Sequence, residues 1–149
     1  VFTLIGFFSC VSISKDTEVD DDLYVKSDDY VVKDDVIKNI DANTSLEELK
    51  SKLNTNAKQF KLIKNGQEVD IISTGTILVL DNDRSYTLVV TGDINGDSYH
   101  NELDLTLLIN HLLDRTLIQN EIESMASDMN DDGEIDIVDL SLMNKKTLN

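Results

Sequence analysis

Residues 128–139 read D-M-N-D-D-G-E-I-D-I-V-D, and this stretch decides how the rest of the chain is understood. It places oxygen-bearing side chains at positions 1, 3, 5, 9 and 12 of a twelve-residue loop, with a glycine at position 6. Calcium is a hard cation that takes six to eight oxygen ligands, and this spacing supplies most of them. We therefore predict a calcium loop with side-chain ligands Asp128, Asn130, Asp132, Asp136 and Asp139 and the backbone carbonyl of Glu134 at position 7.

A second copy of the pattern lies upstream, where residues 93–104 read D-I-N-G-D-S-Y-H-N-E-L-D. Over sixteen aligned positions the two copies share six identical residues, which favours an internal duplication over two unrelated acidic turns. The chain is therefore predicted to bind two calcium ions. The first loop offers Asp93, Asn95, Asp97, the carbonyl of Tyr99, Asn101 and Asp104. Loop two is expected to bind more tightly, because it has four ligand carboxylates against three and keeps Gly133.

The duplicated form G-D-x-N-x-D followed by D-L-x-L-L, with Asp at position 12, resembles the type I dockerin domain of bacterial extracellular enzyme assemblies. The resemblance covers residues 92–149. The strand-like run before loop one leaves no room for an entering helix, which favours a dockerin over an ordinary EF-hand. Two residues depart from the family pattern, because Ser98 stands where glycine is expected and His100 where an apolar residue is expected.

The resemblance implies a non-catalytic docking module that attaches its parent protein to a cohesin-bearing partner. In this family, positions 10 and 11 of each loop help to select the cohesin. Those positions are Glu102 and Leu103 in the first copy and Ile137 and Val138 in the second. The copies differ strongly there, so it stays open whether both faces bind the same partner.

Residues 30–91 alternate short apolar runs with turn signals, and Thr44 with Glu47 predicts the start of a helix. They resemble a small strand-rich module often found before such dockerins in secreted proteins of Gram-positive bacteria. The predicted fold class is α+β, with a strand-helix-strands domain at 30–91 followed by an all-α, dockerin-like pair of calcium loop-helix motifs at 92–149.

Residues 1–14 carry no charge and are typical of the apolar part of a truncated secretory signal, with a buried strand as the alternative. They are short for a membrane span, so none is predicted in the mature protein. Cys10 leaves a lipoprotein signal open beside a cleaved one. Residues 15–29 are acidic and are interpreted as a linker. The leader predicts an extracellular protein, secreted or attached to the cell surface.

The net charge of −16 repels nucleic acid, so no such partner is predicted. No catalytic constellation is apparent, and the chain is expected not to be an enzyme but a monomeric docking module. Two alternatives remain: a calcium-binding structural module without a cohesin partner, or the C-terminal part of a polysaccharide-degrading or cell-surface hydrolase.

Overall fold

The computed structural model describes residues 25–81 and 83–147. The predicted leader at 1–14, with Cys10, and residues 15–24 of the predicted linker lie outside the described residues. Within the described part, the chain begins with strands and continues with helices. The strands, in chain order, are β1 (Val31–Lys33), β2 (Val36–Ile40), β3 (Phe60–Lys64), β4 (Gln67–Val69), β5 (Ile77–Leu80) and β6 (Ser85–Val90).

The six strands form one mixed sheet in the order β1-β2-β6-β5-β3-β4. The β2–β6 pair is parallel and the other pairs are antiparallel. Helix α1 (Leu46–Lys52) lies between β2 and β3 in the chain, and its N-cap Ser45 accepts a hydrogen bond from the Glu48 N–H at 3.1 Å. The sheet and α1 enclose an apolar core that includes the fully buried Ile37, Leu49 and Leu88.

The chain ahead of β1 joins this core. Val25 is buried, and its N–H donates to the hydroxyl oxygen of Tyr86 at 3.3 Å. Lys26 pairs with Asn54 through two backbone hydrogen bonds. The described end of the predicted linker is therefore packed against the strands, and we refer to residues 25–91 as the sheet module.

Three helices follow the sheet module: α2 (Glu102–Leu112), α3 (Glu121–Ser127) and α4 (Ile137–Thr147). Helices α2 and α4 contact each other, and the fully buried Leu108 and Met143 form a small core with Ile94. Helix α3 instead contacts β6, and the Gly92 N–H donates to the Ala126 carbonyl at 2.8 Å.

The predicted fold class is wrong in this second half. Residues after the strands do not form a separate all-α pair of loop-helix motifs, because a third helix lies against the sheet and two long irregular loops separate the helices. The first half is a six-stranded mixed sheet whose parallel pair the sequence did not predict. Local patterns indicate where strands lie, but pairing between residues far apart in sequence depends on packing.

No helix in the part of the chain that the structure describes is long and apolar enough to cross a membrane.

Candidate functional site

The two predicted calcium loops occupy equivalent places before a helix. Loop one (residues 93–104) follows β6 after a two-residue turn and runs into the start of α2. Loop two (residues 128–139) follows α3 and runs into the start of α4. Each loop therefore ends on a helix whose first turn carries its last predicted ligand, Asp104 or Asp139.

The first and last aspartates of loop one are held by backbone N–H groups. Asp93 is fully buried, and its carboxylate accepts from the N–H groups of Asp97 at 2.9 Å and Ser98 at 3.1 Å. Asp104 is fully buried too, and accepts from Ile94 and Asn95 through one oxygen. Its other oxygen accepts from the Asn101 N–H at 3.0 Å, which closes the loop at the helix N-cap.

Loop two repeats this pattern at the corresponding positions. Asp128 accepts from the N–H groups of Asp132 at 3.2 Å and Gly133 at 2.8 Å. Asp139 accepts from Met129 at 2.7 Å and Asp136 at 2.8 Å. The duplication seen in the sequence is thus a duplication of hydrogen bonding, which two unrelated acidic turns would not produce.

The tips of the loops also match each other. The side-chain amide of Asn95 donates to Asp97 at 2.8 Å, and that of Asn130 donates to Asp132 at 2.7 Å. In both loops the residue at position 5 donates its own N–H to the asparagine oxygen. The position 9 side chains, Asn101 and Asp136, each accept from the N–H two residues later.

These residues suit a hard cation in their donor type, because every predicted ligand offers oxygen. A carboxylate has about four lone-pair directions, and Asp93 and Asp104 each use three of them for N–H groups. Among the described residues, no three His, Cys, Asp or Glu side chains are grouped as they would be around a metal ion. The ligand assignment therefore stays a prediction.

Burial changes the acidity of the loop-one carboxylates. Removal from water raises the pKa of Asp93 and of Asp104, although hydrogen bonds from backbone N–H groups oppose the shift. Burial also pushes the pKa of Asp97 upward, but hydrogen bonds led by the one from Asn95 and the charge of Lys64 lower it overall. A cation bound by loop one would offset both the burial of these carboxylates and their mutual repulsion.

The two departures from the family pattern have distinct structural consequences. Ser98 lies at φ +77°, in the left-handed region that the glycine of loop two also adopts, at φ +88° for Gly133. A residue with a side chain pays about 1 kcal/mol or more for this conformation. His100 turns toward the last helix, where its Nε2 lies 3.1 Å from the Thr147 hydroxyl. At position 6, loop one therefore has the same left-handed backbone as loop two, but with Ser98 in place of glycine.

The four predicted partner-binding residues are all exposed at the helix starts. Ile137 is 68 % exposed and lines an open apolar groove between α2 and α4 that includes Leu105 and Leu140. Its neighbour Val138 is 45 % exposed. Leu103 is 62 % exposed, and its neighbour Glu102 is also exposed. Both helix starts are accessible to a partner, and the partner-binding assignment itself stays a prediction.

Contacts from the sheet module to the loops were not predicted from the sequence. The Lys64 ammonium donates to the Gly96 carbonyl in loop one, and the Lys38 ammonium donates to the Asp131 carboxylate in loop two. Both lysines reach the fourth residue of a loop. No local signal in the sequence marks them, because Lys38 and Asp131 are 93 residues apart.

Two loops that share one pattern of hydrogen bonds define the class of this region, and a family comparison gives its name. Residues 91–148 match the family model of the dockerin type I domain. The chain therefore contains a type I dockerin domain, and the resemblance predicted from the loops is confirmed. Domains of this type bind calcium and act in docking, not in catalysis. The comparisons with curated proteins and with solved structures gave no match.

Proposed function

We propose that this chain is a secreted, non-catalytic docking module that binds two calcium ions and attaches its parent protein to a cohesin-bearing partner. The observation that carries the proposal is the hydrogen-bond pattern shared by the two loops, in a region that matches the type I dockerin family. Each loop offers oxygen side chains at positions 1, 3, 5, 9 and 12, and oxygen ligands at this spacing are those that a calcium ion takes.

Each loop would hold its ion through the side chains at positions 1, 3, 5, 9 and 12 and the carbonyl at position 7. Calcium held there would offset the negative charge of these carboxylates. Asp104 and Asp139 link the loops to the helices, because each is the last residue of its loop and lies in the first turn of α2 or α4. Ordering of the loops therefore fixes the two helix starts that carry the proposed docking residues.

The second copy supports the docking role more strongly than the first. Ile137 and Val138 are adjacent apolar residues exposed at the start of α4. Desolvation of exposed apolar side chains is favourable on binding, whereas a buried Glu102 carboxylate would need a paired charge. The proposed main docking face is therefore the start of α4, with the open groove beside Leu140.

The extracellular location rests on the predicted leader at residues 1–14 and on the calcium that the loops would need. Extracellular calcium modules work with dissociation constants of about 10⁻⁴ to 10⁻³ M, which the calcium outside cells can saturate. A role in polysaccharide breakdown would come from the parent protein, and the neighbouring coding sequence would establish it.

The test is capture of the full chain by a panel of type I cohesin domains, with calcium and with excess chelator. Capture by at least one cohesin that depends on calcium is expected. Calcium binding without capture by any cohesin would favour the structural calcium module. An absence of both would overturn the proposed function.

A further inference from the structure

The geometry points to Lys64 as a positioning residue for the first calcium loop, acting together with the segment Ser73–Thr74 of the sheet module. This inference rests on the proposed calcium binding and extends it, because it assigns part of one calcium site to residues outside the dockerin match. The two loops share most of their internal hydrogen bonds, so the contacts that reach each loop from outside show what the sheet module adds.

The first difference lies at the position 1 aspartate. Asp128 accepts two backbone hydrogen bonds, both from within loop two. Asp93 accepts the two corresponding hydrogen bonds, from Asp97 and Ser98, and a third from the Thr74 N–H at 2.9 Å. Thr74 is itself fixed to β6, since its hydroxyl donates to the Val90 carbonyl at 3.1 Å and accepts from the Val90 N–H at 3.0 Å. The sheet thus orients the first predicted ligand of loop one.

The second difference lies at position 4. Lys64, at the end of β3, donates to the Ser73 hydroxyl at 2.6 Å, the Thr74 carbonyl at 3.1 Å and the Gly96 carbonyl. All three donors of the ammonium are thereby used. In loop two the corresponding contact is the Lys38–Asp131 ion pair, whose side chains are partly exposed. An exposed ion pair contributes little, so loop two depends less on the sheet module.

The fit around Gly96 is close. A Cβ atom at this position would lie 2.8 Å from the Thr74 carbonyl oxygen and 2.9 Å from the Lys64 ammonium, both too near for an undisturbed contact. At Gly133, which also has a positive φ, a Cβ would meet nothing within 4 Å. Loop one is therefore packed against the sheet module at the place where Lys64 holds it.

The ammonium of Lys64 has two opposing effects on calcium. Its positive charge repels the calcium ion. Water and salt screen this repulsion, because the tip of the loop, which includes Asp97, is exposed. The hydrogen bond of the ammonium to the Gly96 carbonyl, together with its bonds to Ser73 and Thr74, ties the loop to the sheet module before the ion arrives. Less of the loop then has to become ordered when calcium binds. Because these bonds are partly buried and involve a charged donor, the ordering effect outweighs the repulsion.

The test is a calcium titration of the full chain, followed for each loop separately by the NMR signals of its backbone amides. Lys64→Met should weaken calcium binding at loop one about tenfold, equivalent to about 1.4 kcal/mol, and leave loop two within about twofold. The control is Lys61→Met, an exposed lysine on the same strand, which should change neither loop. Lys38→Met should leave loop one unchanged.

A second pair of variants covers the case in which Lys64→Met perturbs the sheet. Gly96→Ala should weaken calcium binding at loop one more than Gly133→Ala weakens it at loop two, since only the former meets a neighbour as well as backbone strain. If the two glycine variants lose equal calcium affinity, or if Lys64→Met leaves calcium binding at loop one unchanged, the inference is overturned. Calcium binding by the wild-type protein would not be affected by either result. Failure of the wild-type protein to bind calcium would overturn the proposed function and this inference together.

Discussion

Asp93 and Asp128 occupy the same place in two repeats, yet their surroundings differ. Asp93 is fully buried and receives N–H groups from two parts of the chain, whereas Asp128 is only partly buried and receives them from its own loop. A buried donor that loses its acceptor costs about 1–3 kcal/mol, but a donor near the surface can turn to water. The same residue type therefore has a larger structural role in loop one.

We predict that, without calcium, Asp93→Ala lowers the free energy of unfolding by roughly 2–4 kcal/mol and Asp128→Ala by about 1 kcal/mol. The reason is that Asp93→Ala leaves the buried N–H groups of Thr74 and Ser98 without an acceptor. Urea denaturation of both variants in excess chelator measures the difference. Equal losses would show that the Thr74 contact contributes nothing to stability.

By ligand count, loop two is the stronger calcium site, because it has the extra carboxylate and Gly133. That count concerns calcium affinity and still predicts tighter binding by loop two. It could not include Thr74, which lies 19 residues before Asp93 and follows no ligand pattern. The loops themselves were predictable because their hydrogen bonds lie within twelve residues.

At the scale of the elements, helices α2 and α4 carry the proposed docking residues at their first turns. Neighbouring residues on a helix do not share a face, so Ile137 and Val138 point in different directions. Both are nonetheless exposed, at 68 % and 45 %, while Met143 in the same helix is fully buried. Helix α4 therefore packs Met143 into the core and leaves its first turn accessible.

We predict that the double change of Ile137 and Val138 to Asp weakens capture by a matching cohesin by about 100-fold or more. Calcium binding and helicity should persist, because neither side chain belongs to the buried core. Surface plasmon resonance with immobilised cohesin measures the loss. Leu117→Asp is the control, since Leu117 is 52 % exposed away from the helix starts.

Two results would contradict the assignment to the second copy. Unfolding of the double variant would mean that these residues support the fold instead of the contact. If the double variant is still captured by the cohesin and Leu103→Asp is not, the docking face lies on the first copy.

At the scale of the whole molecule, the sheet module and the dockerin domain are joined by contacts that the sequence did not predict. The Lys146 ammonium in α4 donates to the Asp41 carboxylate at 2.9 Å, across 105 residues. Within the sheet module, the Thr91 N–H donates to the carbonyl of Ile40, the neighbour of Asp41. The parallel pairing of β2 with β6 brings Ile40 to this junction. Apolar periodicity and ligand spacing are patterns among residues close together in sequence. They predict strands and loops, but they do not predict which surfaces of the sheet module and the dockerin domain contact each other.

Calcium binding by the two loops is tested most directly by a calorimetric titration of the calcium-free full chain with calcium. Two ions per chain are expected, with Asp93→Ala and Asp128→Ala each removing one, because the two loops repeat one hydrogen-bond pattern around their predicted oxygen ligands. Binding of no calcium, or a stoichiometry of two that neither aspartate variant reduces, would contradict the assignment of calcium sites to residues 93–104 and 128–139.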